Sequence, residues 1–221
     1  MTNIIIFGNR ENSTQFGRFS QAIVSASKNN PEVKIFNYSD TKNIPVPDVV
    51  IYSSRSVNQL DDAVKVCNKY QIPMLILSTD ILEELNNLDI DYEYCPNSSS
   101  KTIKFIENIK NFYSTYPNWN VDEFIEWHQE SKQSLSGTAK YIAKSIGYDV
   151  SKIVMIRDDE LAKSELMIPS KETGFAMHQI KFVNSTSTKE KLFKLITIGR
   201  NDYAKGAIDK AIELSKKFKP I

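Results

Sequence analysis

The stretch Glu126 to Ala139, EWHQESKQSLSGTA, gathers residues whose types and spacing suit proton chemistry next to a bound anion. His128, one of two histidines in the 221-residue chain, lies four residues before Lys132 and eight before Ser136-Gly137-Thr138. An imidazole with an ordinary pKa of about 6.5 exchanges a proton around neutrality, and Lys132 adds a full positive charge. Ser136 is a good helix N-cap, so the amides of Gly137, Thr138 and Ala139 would open a helix whose positive end favours a carboxylate or phosphate. Gly137 has no side chain to keep an anion off the backbone. The set points to catalysis on a carboxylated substrate. The plainer alternative is a strand-end histidine, a solvated loop lysine and an ordinary cap.

Positioning these residues requires a strand before them and a helix after them. Val121 to His128 is β-prone, with Phe124, Glu126 and His128 on one face and Ile125 and Trp127 on the other. From Ser136, the spacing of Ala139, Ile142, Ala143 and Ile146 predicts a helix that Gly147 can end. Upstream, strand candidates Asn3 to Phe7, Val33 to Asn37, Val49 to Ser53 and Met74 to Leu77 alternate with helical patterns, one through Phe16 to Ala26 and one through Leu60 to Tyr70. Such alternation predicts a parallel, Rossmann-like sheet. Beyond an amphipathic helix over Lys101 to Tyr113, the strand candidates Val121 to His128, Lys152 to Arg157, His178 to Val183 and Lys191 to Ile198 cluster, so a mixed or antiparallel sheet is expected. The fold class is therefore α/β, with a Rossmann-like nucleotide domain over residues 1–97 and 200–221 and an α+β substrate domain over 98–199.

The central stretch resembles the signature of the dihydrodipicolinate reductases (4-hydroxy-tetrahydrodipicolinate reductases), E-(A/L)-H-H-x-x-K-x-D-A-P-S-G-T-A. Glu126, His128, Lys132, Ser136, Gly137, Thr138 and Ala139 match it. The chain departs at Trp127, at Gln129 in place of a second histidine, at Ser134 in place of aspartate, and in a connection one residue shorter around Leu135. Ala176 to Phe182 and Arg200 to Ile208 are similar to two further family segments, and so are Pro47 to Ile51, Cys67 to Tyr70 and Cys95-Pro96-Asn97.

This resemblance implies hydride transfer from NADPH or NADH to a cyclic dicarboxylic imine derived from 4-hydroxy-tetrahydrodipicolinate, in lysine and diaminopimelate biosynthesis. It implies catalytic roles for His128 and Lys132, and substrate contacts for Gln129, Lys132, Ser136, Gly137 and Thr138. It places the cofactor on Gly8, Arg10, Thr14, Gly17, Asn37, Ser78, Thr79 and Asn97. Here the family's G-x-x-G-x-x-G becomes Gly8, Thr14 and Gly17 with three extra residues, and Asn37 stands where an acidic residue would grip a ribose. Arg10 and the polar loop to Thr14 could still hold a phosphate through side chains, and Asn37 could bond a ribose hydroxyl. Two rivals follow from these departures: a paralogue reducing another imine or keto acid, and a non-catalytic or regulatory protein that keeps the carboxylate pocket without the dinucleotide. His178 beside Met177 reads as a satisfied structural histidine.

Whole-chain composition narrows the partners. With 28 basic and 27 acidic residues, no strong field calls for nucleic acid. Cys67 and Cys95 are too few for a disulfide framework or a multi-cysteine zinc site, and read as small buried residues in a reducing compartment. No apolar run suits a membrane span, so a cytoplasmic enzyme with no metal is expected. The resemblance implies a small-molecule dicarboxylate as partner and homo-oligomerisation, as a homotetramer, through the substrate domain, whose exposed sheet face would be a natural surface for it.

Overall fold

The apolar run at the N-terminus becomes a central strand because both of its faces are suited to burial. In the computed structural model, β1 (Thr2–Phe7) buries Ile4 and Ile6 in one apolar layer and Ile5 and Phe7 in another. The structure describes all residues except 11–12, 41–44, 55, 79–80, 82, 170–171, 173 and 219–221. It divides into two compact units, Met1–Ser100 with Arg200–Ile221, and Lys101–Gly199.

In the first unit, β2 (Val33–Asn37), β3 (Val49–Tyr52), β4 (Met74–Ile76) and β5 (Tyr92–Tyr94) join β1 in a five-stranded parallel sheet, ordered β2-β1-β3-β4-β5. One layer is formed with α1 (Arg18–Ser27) and α6 (Asn201–Lys217), through Ile23, Ala204, Ala207, Ile208 and Ala211. The other is formed with α2 (Val57–Tyr70), through Leu60, Ala63 and Cys67. This is the Rossmann-like arrangement, and its order reverses between β1 and β3, so the ends of those strands flank a crevice. A Cβ at Gly206 would stand 1.8 Å from the carbonyl oxygen of Ser98. Only glycine lets α6 lie that close to the segment leaving β5. Of the two cysteines, Cys67 is buried and burial pushes its thiol up to about 12, whereas Cys95 is only partly covered.

The second unit contains α3 (Ser100–Thr115), β6 (Trp119–His128), α4 (Gly137–Ser145), β7 (Val154–Ile156), α5 (Asp159–Glu165), β8 (Phe175–Asn184) and β9 (Glu190–Ile198). Its sheet is mixed, ordered β7-β6-β8-β9, with β7 parallel to β6 and the other pairs antiparallel. Phe124, Ile180 and Phe182 pack on one face against Ile109 of α3 and Ile142 of α4. On the other face, Ala162 of α5 packs with Trp127 and Met177. The strand expected over 152–157 is shorter, because Val150–Lys152 forms a 3-10 turn whose Ser151 amide donates to the Asp149 carboxylate. Among the described residues no helix is long and apolar enough to cross a membrane.

Candidate functional site

Strand β6 aligns Phe124, Glu126 and His128 on the face toward α3 and α4, and β8 sets His178 opposite Glu126. Glu126 is fully buried, where an uncompensated carboxylate would cost several kcal/mol. Its compensation is complete. Oε1 accepts the Ser136 amide at 3.0 Å and lies 3.5 Å from His178 Nε2, while Arg157 ion-pairs with Oε2. Burial alone would push this carboxyl up, but the hydrogen bonds from His178, Ser136 and Arg157 outweigh it and hold the group at about 2.

Ser136 caps α4 as its sequence suggested. Its Oγ accepts the Ala139 amide at 3.1 Å and lies 3.2 Å from His178 Nε2. Two expectations change here. The Ala139 amide, expected to face an anion, is engaged by the cap, and Ser136, expected on the substrate, is a buried hydroxyl that fixes the turn. His178, which read as structural, belongs to the network that orders this turn, with its Nδ1 buried and unpartnered.

His128 departs from its ordinary titration. Burial lowers its pKa from 6.5 to about 4, although the Gln129 hydrogen bond and the Glu126 charge both act to raise it. At neutral pH the imidazole is therefore neutral, which corrects the expectation of proton exchange near pH 7. Gln129 Oε1 lies 2.8 Å from His128 Nδ1, so the side chain expected on substrate accepts from its neighbour, leaving Nε2 with the lone pair. A nitrogen-15 NMR titration should find His128 neutral at pH 5.5 and half-protonated near pH 4. Gln129→Glu should raise that midpoint by about one unit or more, as a carboxylate neighbour does. Midpoints near 6.5 in both proteins would refute the burial argument. Since the folded value lies below the unfolded one, His128 contributes stability that is full above pH 6.5 and declines as pH falls toward 4.

Lys132 is partly buried, and its amide donates to the Gln129 carbonyl at 2.9 Å in the turn leaving β6. Among the described residues no carboxylate ion-pairs with its ammonium, which leaves the charge to an incoming anion. Arg157, read from the sequence only as a strand end and not as a site residue, donates from Nε to the Lys132 carbonyl at 2.6 Å. Its only sequence signal was a cation ending an apolar strand pattern.

In the first unit, Gly8 follows β1 at the crevice. A Cβ there would meet Ser20 Oγ at 2.0 Å and Ser53 Oγ at 2.4 Å, so glycine is required by the protein's own packing. The Gly17 amide donates to the Gly8 carbonyl at 2.7 Å, which closes the long loop at its base, and Asn9 and Phe16 pair antiparallel across it. Asn37 donates to the Thr14 carbonyl at 3.3 Å, while its Oδ1 accepts the Ser39 amide at 3.1 Å. Gly17 and Asn37, both expected on the cofactor, thus serve the loop. Arg10 and Thr14 line a cavity of about 310 Å³ with Asn9 and with Tyr38, whose ring stacks on Phe7 at 4.1 Å. That volume fits part of a nucleotide, and the buried, unpartnered Asn9 Oδ1, an acceptor, suits a donor such as a ribose hydroxyl, which leaves phosphate to the Arg10 side chain. Ser78 and Asn97 follow β4 and β5 and do not line this cavity. Thr79 lies outside the described residues.

No protein-family model matches the sequence. The chain is 22% identical over 188 residues to 4-hydroxy-tetrahydrodipicolinate reductase 1, chloroplastic, of Arabidopsis thaliana, a match covering 78% of this chain and 54% of that protein. It is 22% identical over 191 residues to the probable reductase 2, chloroplastic, of Oryza sativa subsp. japonica, covering 78% and 58%. The chain spans about half the length of the curated relatives it matches. Among solved structures, a dipicolinate-bound dihydrodipicolinate reductase from Paenisporosarcina sp. TG-14 aligns over 99% of this chain and 96% of its own at a TM-score of 0.66 and 18% identity. In sequence and in fold the chain is similar to the dihydrodipicolinate reductases. The reductase fold extends to a probable dehydrogenase from Thermotoga maritima, at a TM-score of 0.50 and 12% identity over 99% of this chain and 90% of that one.

Proposed function

We propose that the protein is an NAD(P)H-dependent oxidoreductase that reduces a cyclic dicarboxylic imine derived from 4-hydroxy-tetrahydrodipicolinate, in lysine or diaminopimelate biosynthesis. The observation that carries this reading is the placement of neutral His128, Lys132 with no ion-pair partner among the described residues, and the capped N-terminus of α4 around one short connection. In this reading Lys132 holds a substrate carboxylate and donates the proton that accompanies reduction. Gly137 and Thr138 receive a carboxylate at the positive end of α4, and Ser136 keeps that turn in shape. His128 offers Nε2 to place the substrate or to take up a proton, a role favoured by its neutrality. Gln129 fixes the imidazole and has no direct substrate contact.

The first unit is assigned to the cofactor, with Arg10 and Thr14 holding phosphate beside Gly8, and Ser78 and Asn97 near the strand ends. When bound, the nicotinamide supplies the hydride. The open face of the mixed sheet, where Val154, Leu192, Ile196 and Ile198 are all more than a third exposed, is assigned to self-association. Fluorescence titration with NADH and NADPH tests the class: micromolar binding of one of them is expected. Binding of neither would leave the non-catalytic reading. If a cofactor binds, turnover of 4-hydroxy-tetrahydrodipicolinate is expected, and its absence would move the activity to another imine or keto acid.

A further inference from the structure

Arg157 stands immediately after β7, and each of its N–H donors is engaged at this one corner of the second unit. Nε donates to the Lys132 carbonyl at 2.6 Å, and Nη1 donates to the carbonyls of Ile156 at 2.9 Å and Glu126 at 3.3 Å. Nη2 reaches the Glu126 carboxylate and the Ser134 carbonyl, the latter at 3.3 Å. The side chain is only 15% exposed, so these bonds are largely shielded from water. Lys132 and Ser134 belong to the connection between β6 and α4. Glu126 in turn accepts the amide of Ser136, the cap of α4. One planar guanidinium therefore fixes the backbone that carries Lys132, and through Glu126 it fixes the turn that opens the helix.

We propose that Arg157 is a positioning residue for the anion pocket: it sets the Lys132 backbone and the Ser136 to Thr138 turn in register without touching the ligand. A lysine cannot replace it, because a compact ammonium with three rotatable donors does not reach a ring of fixed acceptors in several directions. This assignment deepens the dicarboxylate reading and rests on it for the identity of the ligand, but the ordering of the connection can be measured without any ligand.

The test begins with the wild-type chain. Its Arg157 Nη protons should give separate, slowly exchanging NMR signals, as expected for a guanidinium held on every side, and one averaged Nη signal would overturn the proposal even if no variant folds. In Arg157→Lys, the Ser136 amide should exchange with solvent at least tenfold faster. The affinity for pyridine-2,6-dicarboxylate, by calorimetry, should fall at least tenfold. Unchanged exchange overturns the proposal, and so does faster exchange with unchanged affinity, which would make Arg157 merely structural. If the wild type binds no pyridine-2,6-dicarboxylate, the dicarboxylate reading fails and the assignment of Arg157 to an anion pocket falls with it, whereas binding by the wild type with unchanged affinity in Arg157→Lys overturns the Arg157 assignment alone.

Discussion

Replacing Lys132 with alanine should lower kcat for imine reduction by about two to four orders of magnitude, the range that a positioned proton donor contributes. Reduced nucleotide should bind the variant within about twofold of wild type, because the cofactor is assigned to Arg10 and Thr14 in the other unit. The physical basis is the position of Lys132 on the connection after β6, with no described carboxylate neutralising it. If Lys132 only paired with a substrate carboxylate, the loss would appear in KM at nearly constant kcat, since uniform binding does not lower the chemical barrier. A loss in kcat itself identifies an interaction made in the transition state. Steady-state kinetics with saturating nucleotide separates the two, and a kcat reduced less than tenfold would remove Lys132 from proton transfer.

Much of the scaffold around Lys132 was legible in the sequence because its signals are local. The β-prone residues over Val121 to His128 marked β6, and Ser136 followed by apolar residues at helical spacing marked α4. The alternating strands and helices of the first hundred residues indicated the parallel sheet. Elements too short to carry a period escaped: β5 is three residues of mixed polarity, and α5 buries only Ala162. The site was legible in its residue types and much less in their roles. Glu126 stood in the motif, but its partners come from β8 and from the residue after β7, and no spacing in β6 predicts that Arg157 will arrive there. The depressed pKa of His128 is a burial effect, which depends on tertiary packing that no local spacing contains. The loop from Gly8 to Gly17 looked like a damaged phosphate loop. Its closure by the Gly17 amide and the Asn9 to Phe16 bridge is tertiary geometry that a glycine count does not contain.

Glu126→Ala should destabilise the second unit by about 3–5 kcal/mol, as much as truncating a buried aromatic, because it leaves the Arg157 charge and the Ser136 amide without their acceptor in a buried place. Urea unfolding at pH 7 should locate this loss. Wild-type pH dependence supplies a second measure of the same interaction. The folded pKa of about 2 lies below the ordinary 4.5, so the stabilisation is complete above pH 4.5 and disappears as pH falls through 2. A displacement of that size on a fully buried group corresponds to about 3 kcal/mol, the same order as the expected mutational loss. The gap between wild type and Glu126→Ala should therefore narrow from pH 5 to pH 2, and because both proteins carry His128, its own titration largely cancels in that difference. Removing Arg157 as well, in Glu126→Ala/Arg157→Met, should cost less than the sum of the single changes, since the second substitution takes away the stranded charge. Strict additivity, or a gap constant with pH, would mean that Glu126 and Arg157 do not form the coupled pair that orders this site.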